Sequence, residues 1–449
     1  MNLFWKKTFG GLTPTAKFEA EHKTLIAEFK RYNAVHASKE LAEYAELYEQ
    51  VKSADFKENK RMLKSRKYKD TEEYRDMKKM RKLDGNAALQ MYFRVCDSKE
   101  LREYQDFEKN ADFVLLGDPK EVKKSPELTR LKKFEKSKEY KTYVRFHDSY
   151  MLKEYLELKE KVSTPEFKKS NEFWADAKRW DNTKEAALEN RYFTLAENDD
   201  IKFYLSQKDD KFANIKAYEL AFKEGFDGNI LPTTSWEYGF CYDNDALVGK
   251  HSFLNEKQAN TCGNNVAVVN GRLNIITKEG KTDAIVWHPE RGFVQHTFDY
   301  SSDVINGHKV ACQRRGVFSA KLRFTGSGDV SHAFWLTDGT KTPHINVCRC
   351  NGKEIEVGIY WNSKFEKKYT STKITGLNPR EFYIYSVEIK DNDVIWYINN
   401  LEVFRCSNYI PEKPMFPVFN SFIPENKKGG AAVYEIDNVN TYLPVVEKK

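Results

Sequence analysis

A break in composition near Gly225 constrains this chain more than any other feature. Residues 1–225 hold 48 Lys and Arg and 42 Asp and Glu, so 40% are charged, yet they hold only five of the 22 glycines. Many charges at helical spacing with few glycines predict helices. Glycine-punctuated alternation, which takes over downstream, predicts strands. The expected organisation is therefore two domains, a helical interaction domain over 1–226 and a β-sandwich over 227–449, joined through "KEGFDGNILPTTSW". A length of 449 residues is ample for two cores.

In the first half, Ser, Thr and Asp repeatedly precede apolar periodicity, as helix N-caps do. Leu41, Tyr44, Leu47, Tyr48 and Val51 form one stripe. Leu152, Tyr155, Leu158, Val162 and Phe167 match Leu41, Tyr44, Leu47, Val51 and Phe56 at a constant offset, and Leu101, Tyr104 and Phe107 form a weaker copy. The pattern predicts an array of helical hairpins that presents a surface to a protein partner or to another copy of the chain. The segment Lys57 to Lys82 is locally basic, but Glu58, Asp70, Glu72, Glu73 and Asp76 interrupt it, which reads as a solvated helix face.

The net charge of +7 is mild for so long a chain, so no nucleic-acid partner is expected. No apolar run reaches membrane-span length, and "MNLFWKKTFGGLTPT" has neither the apolar core nor the cleavage site of a signal peptide. The cysteines, seven in number and irregularly spaced, read as free thiols. Cys348 and Cys350 lie side by side on a predicted strand, without zinc-knuckle spacing. His22, His36 and His147 have no partner at metal-ligand spacing, so neither metal nor cofactor is expected. These features point to the cytoplasm or a particle assembled there.

The second half resembles family 16 glycoside hydrolases, the laminarinase and lichenase family, in five segments in the family's order. "VAVVNGRLNIITK" is similar to its early strand pair, and "YSSDVINGHKVACQRRGVFSAKLRF" to the segment that opens the cleft. "HAFWL" matches the strand before the active site, with Trp335 in the place of a cleft tryptophan. "FYIYSVEIKDNDVIWYINNLEVFRC" with "KPMFPVFNSF" is similar to the late strands, and "YEIDNVNTYL" to the closing strand. The resemblance implies a concanavalin A-like jelly roll over Trp236–Leu443.

The family's catalytic strand reads Glu-x-Asp-x-Glu or, with one bulge, Glu-x-Asp-x-x-Glu. Here the first Glu is His344 and the Asp is Asn346; the last Glu is Arg349 in the bulged register or Cys348 in the unbulged one. Arg stays protonated and Asn is no glycosidic nucleophile, so no catalytic residue is expected. Two further departures are Asp303 with Val304 after the paired serines, and Ser319 in place of an acid. Glu354 and Glu356 share a face on the next strand but do not form the family's constellation. Trp335 and Trp361 are candidates to stack on sugar rings, with His344, Asn346 and Arg349 to bond hydroxyls. The expected function is a non-catalytic carbohydrate-binding or assembly module. The alternatives are an active glycosidase on a β-glucan-like polysaccharide and a structural component of a phage-like particle.

Overall fold

The computed structural model describes all residues except 9, 115–119, 121–123, 209, 242–251, 365 and 446–449. The chain divides into two compact units, Ala34–Ser206 and Met1–Asn33 together with Gln207–Lys449.

Ala34–Ser206 is helical. Its helices start where a Ser, Thr or Asn side chain accepts a backbone N–H of the first turn: Ser38, Ser53, Thr71, Asn86, Ser125, Ser137, Ser149, Thr164 and Thr183. Each such cap satisfies an otherwise orphaned donor and stabilises its helix by about 1 kcal/mol. Helices Lys39–Lys52 and Tyr150–Ser163 are each 14 residues long, and each leads through a single capping residue, Ser53 or Thr164, into a second helix. Leu47 and Val51 pack with Tyr192, Leu195 and Ile201. Leu152, Tyr155 and Leu158 pack with Met80, Leu83, Leu89, Tyr92 and Phe146. Within the basic segment, Lys60 is paired with Glu189, Lys79 with Glu154, and Met80 is buried.

The other unit is a sandwich of two sheets. In chain order its strands are β1 (Tyr218–Glu224), β2 (Glu237–Tyr238), β3 (Gln258–Asn260), β4 (Val266–Val268), β5 (Leu273–His288), β6 (Gly292–Ser302), β7 (Val304–Asn306), β8 (Gly316–Gly326) and β9 (Ser331–Thr337). There follow β10 (His344–Asn351), β11 (Glu354–Asn362), β12 (Lys367–Ile374), β13 (Tyr383–Ile389), β14 (Val394–Ile398), β15 (Leu401–Cys406), β16 (Phe416–Phe422) and β17 (Ala432–Pro444). One sheet runs β15-β14-β13-β8-β17-β5-β6-β3, with β1 on β17 and β4 on β5. The other runs β12-β11-β10-β9-β16-β7-β2. Tight turns occur at Asn270-Gly271 and Asn399-Asn400, all four residues at positive φ, a conformation that Asn and Gly tolerate.

The core between the sheets holds Trp236, Phe318, Phe334, Tyr385, Trp396, Phe419 and Tyr434, each buried. Burial of each such side chain stabilises the fold by roughly 1.5–3 kcal/mol. The seven cysteines form no disulfide, and Cys348 and Cys350 both lie in this core.

One segment departs from the helical expectation for residues 1–226. Tyr218–Glu224 is a strand, antiparallel to the end of β17. Its Lys- and Glu-bearing alternation suits an edge strand as well as a helix, and the partner decides. The first residues also join the sandwich: Leu3 and Leu12 are buried in its core, and the Leu3 amide donates to the Thr375 carbonyl. Among the described residues, no helix is long and apolar enough to cross a membrane.

Candidate functional site

The candidate residues sit on the outward face of the second sheet, and a bulge in β10 places them. Pairing of β10 with both neighbours shifts register just after Asn346. Val347 and Cys348 consequently both face the core, and strict alternation resumes one residue later. His344, Asn346 and Arg349 thereby share the outward face, which is the bulged register. The indole Nε1–H of Trp396 donates to the Asn346 carbonyl at 2.8 Å, satisfying an acceptor at the bulge.

The brought-together residues bind one another. His344 stacks on Trp335 with ring centroids 4.3 Å apart at 19°, and its Nε2 lies 2.8 Å from Asn346 Oδ1. Trp335 Nε1–H donates to Asn420 Oδ1 at 3.0 Å. Trp335 is only 6% exposed, because it belongs to a second apolar cluster on the outer face, with Phe240, Val304, Ala333, Phe416 and Val418. It therefore offers no free ring face of the kind a stacked sugar needs. Burial, helped by the charge of Arg349, lowers the His344 pKa to about 4, so its imidazole is neutral at pH 7.

Arg349 pairs with Glu356 on β11, whose other oxygen accepts from Tyr360 Oη at 3.1 Å. Burial, followed by the charge of Glu356, raises the Tyr360 pKa. Glu354 is paired with Lys373 at 2.8 Å. Both carboxylates on β11 are thus engaged by cations.

Trp361 does not join this group. Its neighbour Tyr360 faces outward, so alternation turns Trp361 to the other side, where it packs against the inter-sheet core and stacks on Tyr409 at 5.5 Å and 15°. Tyr409 in turn lines a cavity of about 440 Å³ with Asp338, Thr340, Pro343 and Asn362.

A residue absent from the sequence reading completes the outward face. Tyr369 on β12 pairs in register with Tyr360, and their rings stack at 5.5 Å and 16°. Tyr369 is 68% exposed. Cross-strand register alone places it there, so no local motif marks it.

The sequence departures also find structural roles. Ser319 Oγ accepts from Ser386 Oγ–H at 2.9 Å. Asp303 is 1% exposed, and its carboxylate accepts from Thr261 N–H (3.1 Å), Thr261 Oγ1 (2.7 Å), Gly263 N–H (3.0 Å) and Asn265 N–H (2.8 Å). It organises the loop before β4.

No protein-family model matches this chain, and no curated protein matches it. Among solved structures, the chain is similar to the catalytic domain of an endo-1,3-beta-glucanase (laminarinase) from Thermotoga petrophila, at 16% identity over 51% of this chain and 100% of that one, with a TM-score of 0.41. It is similar to LamAcat from Zobellia galactanivorans at 19% identity over 50% and 97%, TM-score 0.41. It is likewise similar to the kappa-carrageenase from Pseudoalteromonas carrageenovora at 17% identity over 51% and 96%, TM-score 0.41.

Proposed function

We propose that the sandwich is a non-catalytic module that binds a polysaccharide chain along the outward face of its second sheet, with Tyr369 as the platform. The observation that carries this reading is the exposed Tyr369 ring, stacked on Tyr360 beside the Arg349–Glu356 pair. A flat aromatic ring backed by a second ring is a rigid stacking surface, and the adjacent guanidinium supplies donors for hydroxyls or an acidic group. Glycoside hydrolysis needs two carboxyls in complementary protonation states. The positions that the resemblance assigns to them hold His344, Asn346 and Arg349, and Glu354 and Glu356 are committed to ion pairs.

In this reading the helical unit supplies attachment, in the cytoplasm or on a particle assembled there. Phe193 is 53% exposed beside a cavity of about 380 Å³ also lined by Lys52, Lys57, Arg61 and Lys64, and by Lys60 with its ion-pair partner Glu189, which leaves a net positive rim. That surface suits an acidic protein partner.

The test is a glycan array probed with the full chain, followed by titration of a bound oligosaccharide. Tyr369→Ala is expected to weaken binding about tenfold, and no reducing ends are expected from laminarin, lichenan, agarose or carrageenan. Unchanged affinity in Tyr369→Ala would move the ligand elsewhere. Turnover lost on mutating Glu354 or Glu356 would replace this reading with a hydrolase.

A further inference from the structure

We propose that Glu237, Cys241 and His308 form a binding site for one divalent cation of the zinc class. Their ligand atoms, a carboxylate oxygen, the cysteine sulfur and an imidazole nitrogen, all lie within 4.8 Å of one another. Nothing in the sequence brings them together, since His308 is far from the other two. The β2–β7 ladder does so. Glu237 pairs with Asn306 and Tyr238 with Ile305. The ladder is extended by the Gly239 N–H, which donates to the Val304 carbonyl at 2.7 Å. Gly239 has a φ of 93° and bends the chain, with Cys241 two residues beyond. The Asn306 side chain ties both strands: its Nδ2 donates to the Gly239 carbonyl at 2.9 Å, and its Oδ1 accepts from the His308 N–H at 3.2 Å. The backbone under Glu237 and His308 is thus fixed independently of any ion, and Cys241 follows two residues after the anchored Gly239.

The donor set selects the ion. Thiolate, imidazole and carboxylate together suit zinc and disfavour magnesium or calcium, which take oxygen ligands. Tetrahedral zinc, with bonds of about 2.0–2.3 Å, holds its ligands about 3.5 Å apart, so small side-chain rotations close the site. Thiolate and carboxylate supply two negative charges to a doubly charged ion, and the thiol proton leaves on binding.

Groups around the ligands orient them. Lys309 Nζ lies 3.1 Å from Glu237 Oε1 and donates to the Thr233 carbonyl at 3.2 Å, which holds the carboxylate in place. The His308 ring meets the edge of Phe416 at 5.0 Å and 76°. Phe416 and Phe240 belong to the apolar cluster that covers Trp335, and Cys241 packs against that cluster. An ion here would clamp the segment carrying Phe240 to the β7 turn, and would keep a fourth position for water or a ligand.

The experiment uses the full chain, stripped with a chelator and titrated with cobalt(II) as a spectroscopic probe, then with zinc(II) as competitor. One equivalent of cobalt is expected, with a thiolate-to-cobalt charge-transfer band that zinc abolishes. Cys241→Ser should lose the band. His308→Ala, at an exposed position that leaves the fold intact, should weaken cobalt binding at least about tenfold. Absence of the band in the wild type, a band that persists in Cys241→Ser, or unchanged affinity in His308→Ala would each overturn the proposal.

Discussion

Between pH 7 and pH 4.5 the sandwich is expected to lose about 2–3 kcal/mol of stability through His332 alone. The His332 imidazole is 2% exposed, lies flat against Phe324 at 5.3 Å, and has its Nδ1 2.8 Å from Ser421 Oγ. Burial lowers its pKa to about 3. In the unfolded chain the ring takes a proton below about pH 6.5. In the fold it stays neutral until about pH 3. The unfolded state therefore binds more protons across that window, and stability falls as pH falls. Each pH unit below 6.5 costs about 1.4 kcal/mol. His344, lowered to about 4 by burial against the opposing hydrogen bond of Asn346, acts in the same direction over the same window. Glu256 opposes both: burial raises its carboxyl to about 7, so the fold holds a proton there that the unfolded chain has released. The comparison that isolates His332 is His332→Gln, which keeps a polar partner for Ser421. Urea midpoints at pH 7 and pH 4.5 should differ by about 2–3 kcal/mol less in the variant than in the wild type. Equal differences would show that another group carries the acid sensitivity.

The second large effect is expected at Asp303. Asp303→Ala leaves the Thr261, Gly263 and Asn265 amides and the Thr261 hydroxyl without their acceptor in a buried loop. Stranded donors cost about 1–3 kcal/mol each, and with partial relaxation the loss should be about 3–5 kcal/mol. Asp303→Asn keeps one oxygen but aims an NH₂ at donors, so it should fall between wild type and Ala. Denaturant midpoints measure the cost, and hydrogen exchange at Gly263 and Asn265 locates it. A loss under about 1 kcal/mol would show that water replaces the carboxylate.

Asp303 also shows what a sequence conveys. The residue is conspicuous as a departure from a resembled pattern, but its role rests on three residues some forty positions upstream. Features set by local chemistry were legible in advance: the serine and threonine helix caps and the succession of strands. The outward grouping of His344, Asn346 and Arg349 was legible only as one of two registers. The choice between them depends on Val347 and Cys348 both finding room in the core. Trp361 was misplaced for a related reason. Once Glu356 faces outward, alternation sends Tyr360 the same way and Trp361 the other. Tyr369, the Glu237–Cys241–His308 cluster and strand β1 were hidden, because each is defined by which strand lies beside which. Pairing partners distant in sequence leave no trace in local periodicity.

The bond from the Leu3 amide to the Thr375 carbonyl has a consequence for how the chain is made. On the ribosome Leu3 and Leu12 emerge well before the core that buries them, which is built from Phe226 and later residues. Ala34–Ser206, whose apolar clusters draw only on its own residues, can complete its helices while that core is still being translated. The sandwich can close only after β17 is released, because β17 lies between β8 and β5 and contributes Tyr434, Ile436 and Val439 to the core that buries Leu3 and Leu12. Such distant closure is slow, and it leaves Leu3 and Leu12 uncovered until those later strands are available. Cellular yield of this protein should therefore follow chaperone supply during synthesis more closely than the stability of the finished molecule.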